Sequence, residues 1–197
     1  MQVVVTLIYP LLVYVGFQTV GVRWTAIALF VWVARGAAIR LARTGRASPQ
    51  LAGQILGIGG LYAVAAWINS AALLQMSPAL ISFGVGTVFA ASLVKGPPLI
   101  ERFAATFHDV ELTPARKSHC RGWTVGWTAL LFAQGLGLTW ASHLEAGPWA
   151  AYVAGVTYPI MGLMFAGEFV QRRARFRDFD PANPIDRWLE RLLPGEA

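Results

Sequence analysis

The hydrophobic positions of the chain gather into six long stretches separated by short polar connections. These stretches cover residues 2–20, 24–42, 50–68, 73–94, 121–142 and 148–170. Each is about long enough to cross a bilayer as an α-helix, which needs about 20 apolar residues. The pattern therefore predicts an all-α polytopic membrane protein with six transmembrane helices.

Lys and Arg side chains are distributed unevenly between the two sides of these predicted helices. All but two of the 16 fall in three segments, each at or after the end of the second, fourth or sixth stretch; the exceptions are Arg23, on the opposite side, and Arg35, well inside the second stretch. Cytoplasmic connections of membrane proteins collect Lys and Arg. Both termini are therefore expected in the cytoplasm, with a six-helix bundle over residues 1–175 and a cytoplasmic tail over 176–197.

The composition agrees with a membrane location and narrows the partners. The chain is 56% hydrophobic and only 13% charged, whereas a soluble domain carries about a quarter charged residues. Its net charge of +6 would suggest nucleic acid in a soluble protein, but beside membrane helices it favours anionic lipid headgroups on the cytoplasmic side. No nucleic-acid-binding module is recognisable, so no nucleic acid partner is expected.

Two charged side chains lie within the apolar stretches. Arg35 stands well inside the second stretch, and Glu168 is near the cytoplasmic end of the sixth. A charge inside the bilayer needs a partner, a water cavity or a route to the interface. We predict an ion pair between Arg35 and Glu168, with extension of Arg35 to the cytoplasmic interface as the alternative.

The connection after the fourth stretch predicts a short interfacial helix near residues 97–107. Two prolines at 97–98 end the preceding helix, because proline donates no backbone hydrogen bond. Apolar residues then recur at helical spacing at Leu99, Ile100, Phe103 and Phe107. This spacing is typical of an amphipathic helix on the membrane surface. A second one is expected in the tail, beginning at Asn183-Pro184.

Charged side chains flank this predicted loop helix and precede the fifth stretch. They are Glu101, Arg102, Arg116, Lys117, His119 and Arg121. Arginine offers paired donors to a phosphate or carboxylate, so the set is our candidate for binding a lipid headgroup or a partner protein. The alternative is that these basic residues only obey the positive-inside distribution.

Residue patterns for catalysis or metal binding are weak. His108, Asp109 and Glu111 resemble an acid–base or metal cluster, but their spacing in a solvated loop is poor evidence. Cys120 is the only cysteine, which excludes an internal disulfide and a cysteine-based metal site. We predict no catalytic residue, metal or cofactor, and we lean against an enzyme.

Small residues and prolines predict how the helices pack. Gly53 and Gly57 lie four residues apart, and similar pairs follow in the fourth and fifth stretches. Such residues let helices approach closely in lipid, within one chain or in a homodimer. Pro10, Pro78 and Pro159 interrupt three stretches, and kinks of this kind can open a cavity for a transported molecule.

Several motifs together carry a resemblance to a known family. They are Gly-Pro-Pro-Leu-Ile-Glu-Arg-Phe at 96–103, Leu-Thr-Pro at 112–114, the basic segment 116–121 before Trp-Thr-Val-Gly-Trp at 123–127, residues 134–140, and Gly-Leu-Met-Phe-Ala-Gly-Glu-Phe at 162–169. The second half thereby resembles the small bacterial inner-membrane proteins of the septation protein A (YciB-like) group. It is more similar to an uncharacterised branch found with aryl-polyene and fatty-acid-like biosynthesis genes.

The resemblance implies a multi-pass protein of the bacterial inner membrane with an accessory role in the cell envelope, and supplies no catalytic residues. We therefore predict a non-enzymatic accessory or scaffold protein for envelope or lipid-like product machinery. One alternative is a small carrier or flippase for a lipid-like product, built around Arg35 and Glu168. Another is a membrane enzyme that acts on a lipid headgroup through the histidine and acidic residues of the cytoplasmic loop.

Overall fold

The computed structural model describes residues 2–46, 52–107 and 112–176 together with Trp188, and every regular element within them is a helix. The α-helices are α1 (Gln2–Thr19), α2 (Gly21–Thr44), α3 (Gly60–Ile68), α4 (Ala71–Gln75), α5 (Ser77–Val94), α6 (Leu99–Phe107), α7 (Pro114–Ala141), α8 (Ala146–Tyr152) and α9 (Tyr158–Phe176). Two π-helical segments, Gln54–Gly59 and Val153–Thr157, precede α3 and α9. The all-α prediction is confirmed for the described residues.

Three helical stretches in the described ranges are long and apolar enough to cross a membrane. They are Gly21–Thr44, Ala71–Val94 and Ala146–Phe176, and a shorter apolar helix covers Ile55–Ile68. These lengths agree with the roughly 20 residues that a bilayer requires. The count of six transmembrane helices and the side of each terminus stay predictions.

Local backbone chemistry sets several helix ends. Gly21 has a φ of 81° where α1 gives way to α2, a conformation that side-chain-bearing residues rarely adopt. Gly45 caps α2 in the left-handed conformation, and its N–H donates to the carbonyl of Leu41 at 2.8 Å. Asn69 does the same for α3, and the Ser70 side chain then accepts from the first turn of α4. These caps explain why the apolar stretches are divided at these points.

Two of the three prolines within the predicted spans lie at interruptions of longer helical stretches. Pro78 follows the turn at Met76 within Ala71–Val94, and Pro159 directly follows the π-helical segment within Ala146–Phe176. Proline donates no backbone hydrogen bond, so it fits where the regular helical pattern is interrupted. Pro10 differs, since it lies inside α1.

The chain divides into two compact units, each described here by itself. The first comprises residues 1–87 and 129–157, and the second comprises 88–128 and 158–197. In the first unit, α2 packs on α1 and α3, and α8 packs on α1. Close approach of α1 to α2 depends on Gly16, because a Cβ there would lie 2.6 Å from the Thr25 hydroxyl oxygen.

A buried polar cluster surrounds Tyr9 in the first unit. Its hydroxyl hydrogen-bonds with Ser77 Oγ, accepts from the Tyr62 hydroxyl at 3.3 Å, and its ring meets Trp149 edge-on. Trp149 is fully buried, as is Gln75 next to this cluster along the chain. The first unit therefore has a partly polar interior.

Candidate functional site

The loop helix predicted near 97–107 exists as α6, and side chains of neighbouring helices fix its first turn. The N–H of Leu99 donates to Ser92 Oγ at 2.9 Å, and the N–H of Ile100 donates to Thr124 Oγ1 at 3.4 Å. The first N–H groups of a helix have no partner within it. Hydroxyls on α5 and α7 satisfy them here, so α6 is held against both helices.

Arg102 stabilises the turn before α6. Its guanidinium donates to the carbonyl of Pro97 at 2.8 Å and to the carbonyl of Lys95 at 3.0 Å. The turn passes through Gly96, whose φ is 83°. The sequence suggested a headgroup or partner ligand at Arg102, which stays a prediction, and the geometry adds a structural role for this side chain in the turn.

The apolar stripe of α6 is only partly buried. Leu99 and Ile100 are half-buried, whereas Phe103 is 55% exposed. Glu101 is also half-buried. An exposed phenylalanine on a helix with fixed position is an apolar anchor for a membrane surface or a partner.

The first turns of α7 pack along α9 through aromatic side chains. The rings of Trp127 and Phe165 lie 4.5 Å apart, and Trp123 Nε1 donates to Gln171 Oε1 at 2.6 Å. Trp123 and Trp127 are four residues apart, so they share one face of α7. The same face continues to the charged start of the helix.

Phe176, the last residue of α9, is surrounded by cationic and aromatic groups. The guanidinium carbons of Arg116 and Arg175 lie 5.2 and 5.7 Å from its ring centre. His119 meets the same ring edge-on at 5.3 Å. Cations over aromatic faces are held electrostatically, so Phe176 positions these side chains.

A small cavity opens at this point of the second unit, and we call it the His119 cavity. It has a volume of about 30 Å³ and is lined by Ala104, Leu112, Arg116, His119, Cys120, Arg172 and Phe176. His119 is only 5% exposed, and its Nε2 has no hydrogen-bond partner within the described ranges. Buried polar atoms normally have a partner, so this nitrogen is a candidate to bind a polar group.

Charges near the cavity include both signs. Glu168 and Arg172 form an ion pair within α9, with 3.2 Å between Oε1 and Nε. Burial is the main factor that lowers the pKa of His119; Glu168 opposes it, whereas Arg175 and Arg172 add to it. The imidazole is therefore neutral at pH 7, with one ring nitrogen a donor and the other an acceptor.

Cys120 lines the cavity without the properties of a reactive thiol. Burial is the main factor that raises its pKa, and the carboxylates of Glu101 and Glu168 add to this effect. Nucleophilic cysteines have lowered pKa values and cationic surroundings. Within the described part of the chain, no group of three or more His, Cys, Asp or Glu side chains is arranged to hold a metal ion.

The structure separates the predicted site residues into different roles. Arg116 and His119 line the cavity together, whereas Lys117 is half-buried and Arg121 is exposed on the same helix. Arg172 and Phe176 also line it, and neither was among the predicted site residues. Glu168, Arg172 and Phe176 follow one another at intervals of four residues, and this spacing is the signal that they share one face of α9.

These contacts do not test several of the other predictions. Arg35 belongs to the first unit, where its side chain is exposed on α2, whereas Glu168 pairs with Arg172 in the second unit. The Arg35–Glu168 ion pair stays a prediction. The residues 108–111 and the tail helix lie outside the described residues, apart from Trp188, which is helical and exposed.

The fold and the site thus define a helical protein with membrane-length apolar helices and a polar cluster where α6, α7 and α9 meet. Comparison with family models, curated proteins and solved structures gives no match.

Proposed function

We propose that this chain is a non-enzymatic accessory protein of the bacterial inner membrane, with six transmembrane helices and both termini in the cytoplasm. It would act as a scaffold for machinery that makes or moves an envelope or lipid-like product. Three membrane-length helices and the placement of Lys and Arg support the location. The resemblance to the septation protein A group supports the envelope role.

The observation that carries this proposal is the exposed apolar face of a firmly held α6. Hydrogen bonds from Leu99 and Ile100 to neighbouring helices fix its start, and Phe103 is left 55% exposed. A fixed aromatic anchor loses little conformational entropy on binding, which favours docking. The surface beside it carries basic side chains that match anionic lipids or acidic partners.

A photo-crosslinking side chain at Phe103 tests the proposal in living cells. We expect covalent adducts with proteins that synthesise or export acyl or polyene products, identified by mass spectrometry. The same crosslinker at exposed Arg121, on α7, is the matched control and should give fewer of these adducts. Adducts with lipid or polyene alone at Phe103 would contradict the scaffold role.

A small carrier for a lipid-like product is the second candidate, and the polar interior of the first unit favours it. Gln75 Nε2 and Trp149 Nε1 are buried donors that lack partners within the described ranges. Polar groups inside membrane bundles are associated with substrate paths. Replacing Trp149 by Phe, or neutralising Arg35, would then block export of the product while its synthesis and the assembly of the machinery continue.

A further inference from the structure

Three helices of the second unit contribute to the lining of the His119 cavity. α6 contributes Ala104, whereas Arg116, His119 and Cys120 come from α7, and the lining from α9 includes Arg172. Hydrogen bonds hold α6, and an aromatic interface joins α7 to α9. The cavity is therefore built into the fold, and its polar groups converge from two helices.

The two guanidinium groups of the cavity are held in place by their neighbours. Arg116 lies over the ring of Phe176 at 5.2 Å, and Arg172 lies over the ring of Phe169 at 5.8 Å while pairing with Glu168. Positioned guanidiniums bind phosphate oxygens with paired hydrogen bonds. The carboxylates of Glu168 and Glu101 and the guanidinium of Arg175 also act on cavity-lining side chains, so charges of both signs lie near the site.

The orphan Nε2 of His119 adds a directional donor to these charges. In the neutral ring this nitrogen carries the proton when an acceptor lies beside it. The imidazole is 5% exposed and contacts the edge of Phe176, which restricts its orientation. An oxygen acceptor in the cavity satisfies this nitrogen, whereas an apolar group would leave it unpaired at a cost.

The size of the cavity limits the part of a ligand that enters it. A volume of about 30 Å³ holds about two water molecules, since each needs roughly 10–15 Å³ of such space. Terminal oxygens of a phosphate group fit, whereas a whole headgroup does not. The phosphorus atom would stay at the mouth, with the rest of the ligand outside.

We propose that the His119 cavity binds a phosphate group through Arg116, Arg172 and His119 Nε2. This chemistry is shared by anionic phospholipid headgroups and free phosphate. The assignment rests on the proposed docking function of the same surface and names its small ligand. Of the site residues predicted from the sequence, Arg116 and His119 bind the phosphate group, whereas Arg102 and Arg121 do not.

Nitrogen NMR of the full chain in nanodiscs tests this site directly. The protein contains three histidines, so labelling them with ¹⁵N gives a simple spectrum, in which His119→Gln assigns one signal. We expect the His119 Nε2 signal to shift when phosphatidylglycerol is added to phosphatidylcholine discs, or when inorganic phosphate replaces chloride at equal ionic strength. His143 is exposed in the first unit and should not shift, which makes it the internal control.

Two charge-removing variants on α7 provide the matched comparison. Arg116→Gln should weaken binding roughly tenfold or more, as the loss of charge-assisted hydrogen bonds predicts. Arg121→Gln removes the same charge from an exposed position outside the cavity and should leave the affinity nearly unchanged. Melting temperatures verify that both variants fold. If Arg116→Gln does not fold, the shift of the His119 signal in the wild-type protein tests the proposal.

The outcomes identify the source of the phosphate. A shift with phosphatidylglycerol alone supports a lipid headgroup, a shift with inorganic phosphate alone supports a soluble ligand, and a shift with both supports a general phosphate site. An unmoved His119 signal in both arms, or equal weakening by the two variants, overturns the inference. The absence of protein adducts at Phe103 is a separate result. It would refute the scaffold proposal, whereas a shift of the His119 signal would still support the phosphate site.

Discussion

Single side chains decide how α7 and α9 meet. Trp123 both packs on α9 and donates a hydrogen bond to Gln171, so its indole contributes an apolar contact and a specific polar one. Tryptophans at membrane interfaces often combine these properties. The sequence shows Trp123 directly after the basic segment 116–121, but its partner is unpredictable, because Gln171 lies 48 residues further along the chain.

Replacing Trp123 with Phe should destabilise the second unit. The variant keeps an aromatic ring but removes the Nε1 donor, which leaves Gln171 Oε1 without this bond. We expect a loss of about 1 kcal/mol in the free energy of unfolding, the usual net value of one hydrogen bond. Chemical unfolding in detergent measures it, with Trp140→Phe as the control, since Trp140 is 63% exposed. Equal losses would show that ring size, not the hydrogen bond, matters.

Protonation of His119 should reduce stability at acid pH. Burial and the nearby Arg172 and Arg175 lower its pKa in the folded protein, with Glu168 opposing them. The folded chain thus binds this proton less readily than the unfolded chain, whose value is about 6.5. The stabilisation is present above pH 6.5 and is lost as the pH falls through 6.5 toward the lowered folded pKa. Melting temperatures across this range should fall for wild type and change less for His119→Gln.

At the scale of helices, close packing depends on particular glycines. A Cβ on Gly135 would lie 2.6 Å from the Phe83 ring, and one on Gly86 would lie 3.2 Å from Leu131. By contrast, Gly53 and Gly57 have nothing within 4 Å of an added Cβ among the described neighbours. The spacing of small residues therefore identified candidates for close packing, but could not distinguish the helices that use them.

Gly135→Ala and Gly122→Ala form a matched pair on α7. The first substitution forces the Phe83 ring to move, whereas the second meets nothing within 4 Å. Overpacking of this kind costs about 1–3 kcal/mol, while Ala in place of a helical Gly gains roughly 0.5–1 kcal/mol. We expect a lower melting temperature for Gly135→Ala and an equal or higher one for Gly122→Ala. The opposite order would mean that α5 and α7 do not approach at Gly135.

Helix positions were largely predictable, whereas their interruptions were not. The second stretch, 24–42, appears as Gly21–Thr44, because a predominantly apolar segment of this length favours the helix in a membrane. The π-helical segments Gln54–Gly59 and Val153–Thr157 have no comparable pattern in the sequence. In the site, Arg116 and His119 are three residues apart and could be grouped, but the contribution of Arg172 depends on tertiary packing.

At the scale of the whole molecule, the placement of Lys and Arg and the length of the apolar helices together predict the membrane topology. Three helices are long and apolar enough to cross a membrane, and the distribution of Lys and Arg predicts which connections stay in the cytoplasm. The His119 cavity brings two of these basic residues, Arg116 and Arg172, together near α6. If the proposed topology holds, the cavity faces the cytoplasmic leaflet, where anionic headgroups attract basic side chains.

Cysteine accessibility tests this topology with few changes. Cys120 is 5% exposed and burial raises its pKa, so it should react slowly with maleimides. Thr106 on α6 and His143 between α7 and α8 are exposed, and the proposed topology puts them on opposite sides of the membrane. A membrane-impermeant maleimide should label His143→Cys once the outer membrane is opened, and Thr106→Cys only after the inner membrane is also permeabilised. The wild-type protein, whose only cysteine is Cys120, is the control for labelling at that residue. Labelling of Thr106→Cys without inner-membrane permeabilisation would reverse the assigned sides and remove the cytoplasmic docking surface with them.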